Sequence, residues 1–395
     1  MNKQNNINEL FNIKFKDEFH EKFIALFVLY GLGDTIGFKN GHWEFNYSKA
    51  PSVGIIFELI SEFINYGGVN GIILEKWLIS DDTIYHEAIA KSLLEYNDIY
   101  KLNDTDSNEE FITLVKTNMI SAYNRIENDS ESNINRYPGI TTTQYVKKFI
   151  KNINVDGRTL RYDSKSGSNG AAMRNLCIGL IFFHEEQLDI LINISINMSK
   201  LTHNSPLGFL AGFTSAYFVS LAVRQEPLEN WVFLLIDLLK SKKIKKYIDF
   251  NNNDIINDYL TYIRHWTKYL NARFRSNDRA LLRLNVSTNL IYRMKFYYEY
   301  FTKDTGFNII GESGFCSMIM AYDALVDCDG IWEKNIFYSM LHPGDSDTVG
   351  AIASGLFGIV FGFSDVPVHM FEHLEDLELL IELGDKYYNK FFLSH

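Results

Sequence analysis

Proline is scarce in this chain, with six in 395 residues, so little interrupts long helices. Cysteine is scarcer. Cys177, Cys316 and Cys328 are odd in number and form no CxxC pair, which excludes a disulfide framework and points to a reducing, intracellular setting. No long basic run occurs and the formal net charge is −11, so a grip on a phosphate backbone is excluded and nucleic acid is not an expected partner. Alternating Val/Ile/Thr runs are short and rare, which leaves no material for a sheet of any size. No repeat with a period of about 20–50 residues is present, which argues against a solenoid. The run Met1-Asn2-Lys3-Gln4-Asn5-Asn6 is polar and offers no signal-peptide core. Triplets such as Asn193-Ile194-Ser195 then have no glycosylation meaning.

What remains is apolar and aromatic. Hydrophobic residues make up 46% of the chain and aromatics 15%, with 30 Phe and 23 Tyr, enough for a sizeable core and little disorder. Thr83 to Tyr96 places Ile84, Ala88, Leu93 and Leu94 near one helical face, and Trp231 to Leu239 is a second apolar helix. Pro206 to Val223 is charge-free and about long enough to cross a bilayer. It contains Gly208, Gly212, Thr214, Ser215 and Tyr217, and no Lys/Arg flank opens it. It therefore reads as a buried central helix, with no membrane partner. Ala351 to Phe363, with Gly355 and Gly358, is too short to span and reads as a buried, closely packed helix. Polar loops are expected at Asn103 to Glu109, Asn128 to Asn135, Tyr162 to Gly170 and Asn251 to Asn257. No Pro/Gly/Ser linker divides the chain, so a single all-α domain, a compact helical bundle, is expected.

Two short acidic runs carry the chemistry: Ser80-Asp81-Asp82-Thr83 and Asp345-Ser346-Asp347-Thr348. Each opens an apolar helix. Capping a helix needs one acid or hydroxyl, so paired carboxylates exceed the structural need. Four carboxylates brought together without a cation would repel and be costly to desolvate. An all-oxygen donor set suits a hard cation such as Mg²⁺, and two clusters can hold two ions.

Other motifs are weaker. Gly31-Leu32-Gly33-Asp34-Thr35-Ile36-Gly37 has GxGxxxG spacing and lacks the strand-helix-strand continuation of a dinucleotide site, so it reads as a close-packed helix end. His369-Met370-Phe371-Glu372-His373 matches HxxEH, but no third zinc ligand follows at a suitable distance. A surface-facing histidine pair on a C-terminal helix is expected there. Ser168 to Arg174 joins a small-residue loop to a helix start, where free N–H groups can hold an anion. Gly311-Glu312-Ser313-Gly314 is a second such loop, and Thr202 to Pro206 is a polar cap.

Taken in order, these pieces resemble the ADP-ribosylglycohydrolase family, most closely its ADP-ribosylarginine hydrolase branch. The matching runs are Gly33 to Gly37 with Asn40 to Phe45, Ser80 to Thr83, Gly170 to Arg174 with Cys177 to Leu180, Thr202-His203, Ala321 to Ala324 and Gly344 to Asp347. The resemblance covers 23–395, with 1–22 as an N-terminal extension. It implies a two-Mg²⁺ hydrolase acting as a monomer on ADP-ribosylated proteins or ADP-ribosyl-arginine; the alternatives are a hydrolase of ADP-ribosylserine or O-acyl-ADP-ribose and a catalytically inactive ADP-ribose-binding module. It also implies Ser80, Asp81, Asp82, Asp345, Asp347 and Thr348 as metal ligands, and Asp82, Asp81 and the substrate-facing Glu44 as catalytic groups. Pro138, Gly139, Thr141, Ser168, Asn169, Gly170, Thr202, His203, Asn204, Gly311, Ser313 and Gly314 would line the ADP-ribose cleft. Two departures from the arginine branch stand near that cleft: Phe315-Cys316 in place of His-Asp, and Pro343 in place of Gly.

Overall fold

The computed structural model describes residues 3–45, 52–102, 109–159, 161–274, 289–302 and 306–393. Among them the chain forms seventeen α-helices linked by short 3₁₀ turns and no β-strand, with one isolated bridge between Ser168 and Ser313. The all-α expectation holds.

The centre is the helix Glu18–Phe38, buried from Phe23 to Phe38 on every face, as expected of a helix with no polar stripe. Its start is capped by Asp17, whose carboxylate accepts from the His20 N–H at 2.9 Å. Its end is set by Lys39 in the left-handed region. Glycine decides its packing. A Cβ on Gly33 would lie 2.3 Å from the Gly350 carbonyl, one on Gly37 2.2 Å from the Ser346 carbonyl, and one on Gly358 2.4 Å from the Ala25 carbonyl. As numbers rise on one helix they fall on the other, so Ser346–Phe361 runs antiparallel to Glu18–Phe38 at backbone contact. The third glycine of the motif, Gly31, instead faces Leu380 of the C-terminal helix Leu377–Tyr387. The GxGxxxG run is thus a packing motif serving two partner helices.

Pro206–Val223 is buried at all of its residues inside the protein. The helix Trp231–Leu239 forms where its apolar pattern places it. Two loop expectations fail. Asn128 to Glu131 belongs to the helix Glu109–Glu131, and Asn253 to Asn257 opens the helix Asn253–Arg273. Polar, surface-facing helix ends have loop-like composition. At the second, Asn252 is the cap itself, accepting from Asp254 and Ile255 N–H. Of the expected Asn103 to Glu109 loop, 103–108 lie outside the described residues.

The HxxEH run does not lie on the C-terminal helix. His369 sits in the 3₁₀ turn Val368–Phe371, and exposed His373 follows before Leu377–Tyr387 begins. Pro367 precedes the turn and left-handed Asp376 closes the connection, so no α-helix aligns the two rings on one face. Residue 23 lies within Glu18–Phe38, and the preceding helix Lys3–Phe11 packs Phe11 against Phe363 and Phe371 at ring distances of 5.2 and 5.3 Å.

Candidate active site

The antiparallel packing brings the N-terminus of Ser346–Phe361 beside the C-terminal end of Glu18–Phe38, where the Ser346 hydroxyl donates to the Gly37 carbonyl at 2.7 Å. The helix Asp81–Glu95 starts in the same place because Asp34 reaches out of Glu18–Phe38 to seat it. One Asp34 oxygen accepts from the Ser80 N–H at 3.0 Å, the Thr83 N–H at 3.2 Å and the Thr83 hydroxyl. Both acidic runs therefore hang on the last two turns of one central helix. They meet.

Neither run spends all of its carboxylates on capping. At the first, Ser80 is the cap, its hydroxyl accepting from the Asp82 N–H at 3.1 Å. At the second, Asp345 occupies the cap position without a side-chain cap bond. Asp345 instead accepts from the Asn169 amide at 2.8 Å, and Asp347 from the Thr348 N–H at 2.8 Å. Asp81 accepts from the Gly139 N–H at 3.2 Å.

The electrostatics follow from burial. Asp81, Asp82, Asp345 and Asp347 are each at most 5% exposed, and Asp34 is fully buried. Burial first, then the neighbouring carboxylates Asp34 and Asp345, push Asp81 up to about 8 against the opposing Gly139 hydrogen bond. Burial and the charges of Asp81, Asp34 and Asp345 raise Asp82 well above the carboxylate range. Asp347 is raised in the same way by burial, Glu44, Asp345 and Asp82. Asp345 rises less, because burial is opposed by hydrogen bonds involving Asp347, Asn169 and Thr348. Thr348 also stabilises the charged form of Asp82, which ties the two runs together.

Glu44 belongs to this cluster. It is 9% exposed, and burial followed by Asp345, Asp81 and Asp34 pushes it up to about 9. Its loop is held on three sides. The Phe45 N–H donates to the Gly344 carbonyl at 2.8 Å, and the Asn40 side chain bonds the Lys76 carbonyl at 3.0 Å and the Leu78 N–H at 2.9 Å. Trp43 Nε1 donates to Glu62 at 2.8 Å. Lys39, paired with the same Glu62, lies over the rings of Tyr66, Trp43 and Trp77 at 4.7, 4.9 and 5.9 Å.

Residues expected to line the cleft fall into three groups. Ser168, Asn169 and Gly170 face the loop Gly311 to Gly314: Ser168 bridges Ser313, and the Asn169 N–H donates to the Glu312 carbonyl at 3.1 Å. Gly311 adopts φ +86 and a Cβ there would lie 3.0 Å from Asp345, so this turn needs glycine. Pro138, Gly139 and Thr141 flank the other side through Gly139 and Asp81. Arg136 fixes that loop by pairing with Glu375 at 2.7 Å and with Asp129 at 2.9 Å, while its guanidinium also donates to the Ile79 carbonyl. Thr202, His203 and Asn204 lie behind the Ser168 turn, all buried, with Asn204 and Ser205 N–H both donating to the Ser166 hydroxyl.

The two departures, Phe315-Cys316 and Pro343, are both buried. Phe315 is fully buried and stacks on His265 at 4.3 Å. Cys316 Sγ accepts from the Gly311 N–H at 3.3 Å and supports the loop from below. Two residues beyond the expected set stand at the site. Asp34 seats the first acidic run, and burial raises it to about 6 despite four hydrogen bonds. Glu312, half-buried, is pushed to about 7 by burial and Asp345. Asp34 lay inside the GxGxxxG run, and only its excess over a packing role marked it.

Among the described residues, no group of three or more His, Cys, Asp or Glu side chains is placed so that it could hold a metal ion. The donor chemistry nevertheless fits a hard cation. Every donor is an oxygen, and Asp82 Oδ2, Glu44 Oε2 and Asp34 Oδ1 are buried with no hydrogen-bond partner among the described residues.

Comparison with known proteins bears on the family and the fold. A model of the ADP-ribosylglycohydrolase family matches residues 16–394. An Acanthamoeba polyphaga mimivirus protein with the provisional name ADP-ribosyl glycohydrolase is 33% identical over 372 residues, covering 92% of this chain and 68% of its own. The ADP-ribosylhydrolase ARH1 of Dictyostelium discoideum is 30% identical over 370 residues, covering 88% of each chain. A solved structure described as an ADP-ribosylglycohydrolase-related protein complex superposes with a TM-score of 0.55 at 16% identity, covering 94% of this chain and 98% of its own. That likeness speaks to fold alone.

Proposed function

The chain belongs to the ADP-ribosylglycohydrolase family, and from that premise we propose that it is a Mg²⁺-dependent hydrolase that removes ADP-ribose from modified arginine side chains. The observation that carries the reading is the convergence of Asp81, Asp82, Asp345 and Asp347 at two helix starts, all raised by burial and three of them, Asp81, Asp82 and Asp347, also by neighbouring carboxylates. Capping accounts for little of this charge: Ser80 caps the first helix with its hydroxyl, and at the second, among the described residues, the acids meet only the Thr348 N–H of the backbone. A cation is the simplest way to relieve their repulsion.

Ser80, Asp81, Asp82, Asp345, Asp347 and Thr348 would hold two Mg²⁺ ions. The ions would supply charge to orient ribose hydroxyls and to acidify a water. The protein's own groups do the rest. The bond broken is the N-glycosidic link at the ribose carbon, through an oxocarbenium-like transition state. Water adds to that carbon, and the guanidine leaves with the proton that water gives up. Asp82 relays the proton, and Glu44 faces the same carbon region from its own loop. The Ser168 and Gly311 turns hold the rest of ADP-ribose. The acidic cleft favours approach of a cationic guanidinium, which is the physical support for an arginine linkage. The protein is taken to act as a monomer inside the cell, in keeping with three buried free cysteines.

The test is release of ADP-ribose from ADP-ribosyl-arginine and ADP-ribosyl-serine peptides at equal concentration, in chelator and after adding Mg²⁺, Mn²⁺ or Zn²⁺. Activity with Mg²⁺ or Mn²⁺ and a higher rate on arginine are expected. Full activity in excess chelator would overturn the cation reading, and a clear preference for serine would overturn the linkage.

A further inference from the structure

Arg174 is fully buried, yet among the described residues no carboxylate pairs with it. Its guanidinium donates instead to the carbonyls of Gly170, Met198 and Ser199 and to the Thr202 hydroxyl, the last at 2.8 Å. Thr202 Oγ1 lies 2.7 Å from His203 Nδ1, and His203 Nε2 lies 3.1 Å from Ser168 Oγ. Four side chains thus form one line from a buried charge to the half-buried Ser168 at the cleft loop.

The direction of that line is fixed by its first member, because a guanidinium can only donate. Thr202 accepts from Arg174, and its single hydrogen has one acceptor within reach among the described residues, His203 Nδ1. A ring that accepts at Nδ1 is neutral and carries its hydrogen on Nε2, which then donates to Ser168. The hydroxyl hydrogen of Ser168 is left over and has no protein acceptor among the described residues. The other neutral tautomer would consume that hydrogen at Nε2. An imidazolium would strand the Thr202 hydrogen and add a charge beside Arg174. Burial and Arg174 both hold the His203 pKa well below its usual value. The ring is also clamped, since a Cβ on Gly170 would lie 2.9 Å from His203 Cε1 and one on Gly208 3.0 Å from His203 Cβ.

We propose that Arg174, Thr202 and His203 are positioning residues whose one-way hydrogen-bond relay makes Ser168 a hydrogen donor to an anionic oxygen of the substrate, of the diphosphate class. The ligand assignment rests on the proposed function; the relay itself does not. It gives a strongly acidic cleft one donor polarised by a buried positive charge, which an anionic group needs there.

The experiment is nitrogen NMR on protein with ¹⁵N-labelled histidine, with His203→Gln identifying the signal among ten histidines. Calorimetric titration of ADP-ribose follows, on the parent, Ser168→Ala, Thr202→Val and the double variant. The parent should show neutral His203 with the hydrogen on Nε2 between pH 6 and 8, and Thr202→Val should lose that preference. Ser168→Ala should weaken ADP-ribose about ten-fold or more, Thr202→Val should weaken it several-fold, and the double variant should be no weaker than Ser168→Ala alone. His203 found with its hydrogen on Nδ1, or found charged, would overturn the relay. So would fully additive losses in the double variant. A parent that binds no ADP-ribose would overturn the ligand and the proposed function, while the tautomer still decides the relay.

Discussion

Replacing Asp81 with asparagine removes one negative charge from the buried cluster and keeps an oxygen to accept the Gly139 N–H, 3.2 Å away. The carboxyl ordinarily titrates at 3.8 and is pushed to about 8 in the folded protein, chiefly by burial and then by Asp34 and Asp345. A group raised in this way contributes stability that is fully present below 3.8 and is lost as pH rises through about 8. Four units at ~1.4 kcal/mol each set a ceiling of about 6 kcal/mol. With ~2.1 cal/mol/K of unfolding entropy per residue, that is a shift of up to about 7 °C for this chain. In chelator, Asp81→Asn should therefore melt several degrees above the parent at pH 8.5 and close to it at pH 4. Added Mg²⁺ should raise the parent and narrow or reverse the gap, because the variant has lost a proposed ligand. Hydrolysis should be lost in the variant throughout. Scanning calorimetry across pH, with and without Mg²⁺, checks all of this. A variant less stable than the parent at pH 8.5 in chelator would refute the claim that repulsion is stored at the site.

Three further outcomes are expected. Asn169→Ala should lower activity by about ten-fold or more, the range for a lost hydrogen bond to a charged group, because Asn169 links Asp345 to the Gly311 carbonyl at 2.8 and 2.9 Å; unchanged steady-state rates would contradict it. Glu62→Gln should loosen the Glu44 loop by weakening the Lys39 pair while Trp43 keeps an acceptor, giving a several-fold fall in kcat with a melting shift of only a few degrees; a variant with parental kcat would remove the loop's anchor from the argument. His369→Ala with His373→Ala should leave hydrolysis within a few-fold of the parent, since the 3₁₀ turn holding His369 and the connection holding His373 supply nothing to the acidic cluster; loss of activity in a folded, zinc-responsive protein would reverse that reading.

Much of the candidate site was legible because its signal is local. Ser80 to Thr83 and Asp345 to Thr348 each hold more acid than a cap consumes, and the structure spends their carboxylates elsewhere. Gly33 and Gly37 were readable as close packing, since the run lacked any phosphate-loop context. What stayed hidden depends on partners far along the chain. Asp34 takes its role from Ser80 and Thr83, 46 and 49 residues on. Arg174 does so from Thr202, 28 residues on. Burial was misleading in the same way: Phe315 looked like a lost polar contact and proves to be a ring stacked on His265. Helix ends rich in Asn, such as Asn253 to Asn257, were indistinguishable from loops until the capping bonds of Asn252 were seen.

The glycine packing explains how one fold tolerates so many buried acids. Like charges held by soft elements would move apart, and here the elements cannot. Ser346–Phe361 lies so close to Glu18–Phe38 that a single methyl at Gly33 or Gly37 would meet backbone at 2.3 or 2.2 Å. Overpacking of that kind costs about 1–3 kcal/mol and shifts the backbone. Asp345 and Asp347 ride on the first of these helices. Asp34 on the second seats Asp81 and Asp82 through the backbone of Ser80 and Thr83. Separating the two acidic runs therefore means breaking the best-packed contact in the core. The repulsion remains in place until something else neutralises it, because the rigid pair holds these oxygens where they are.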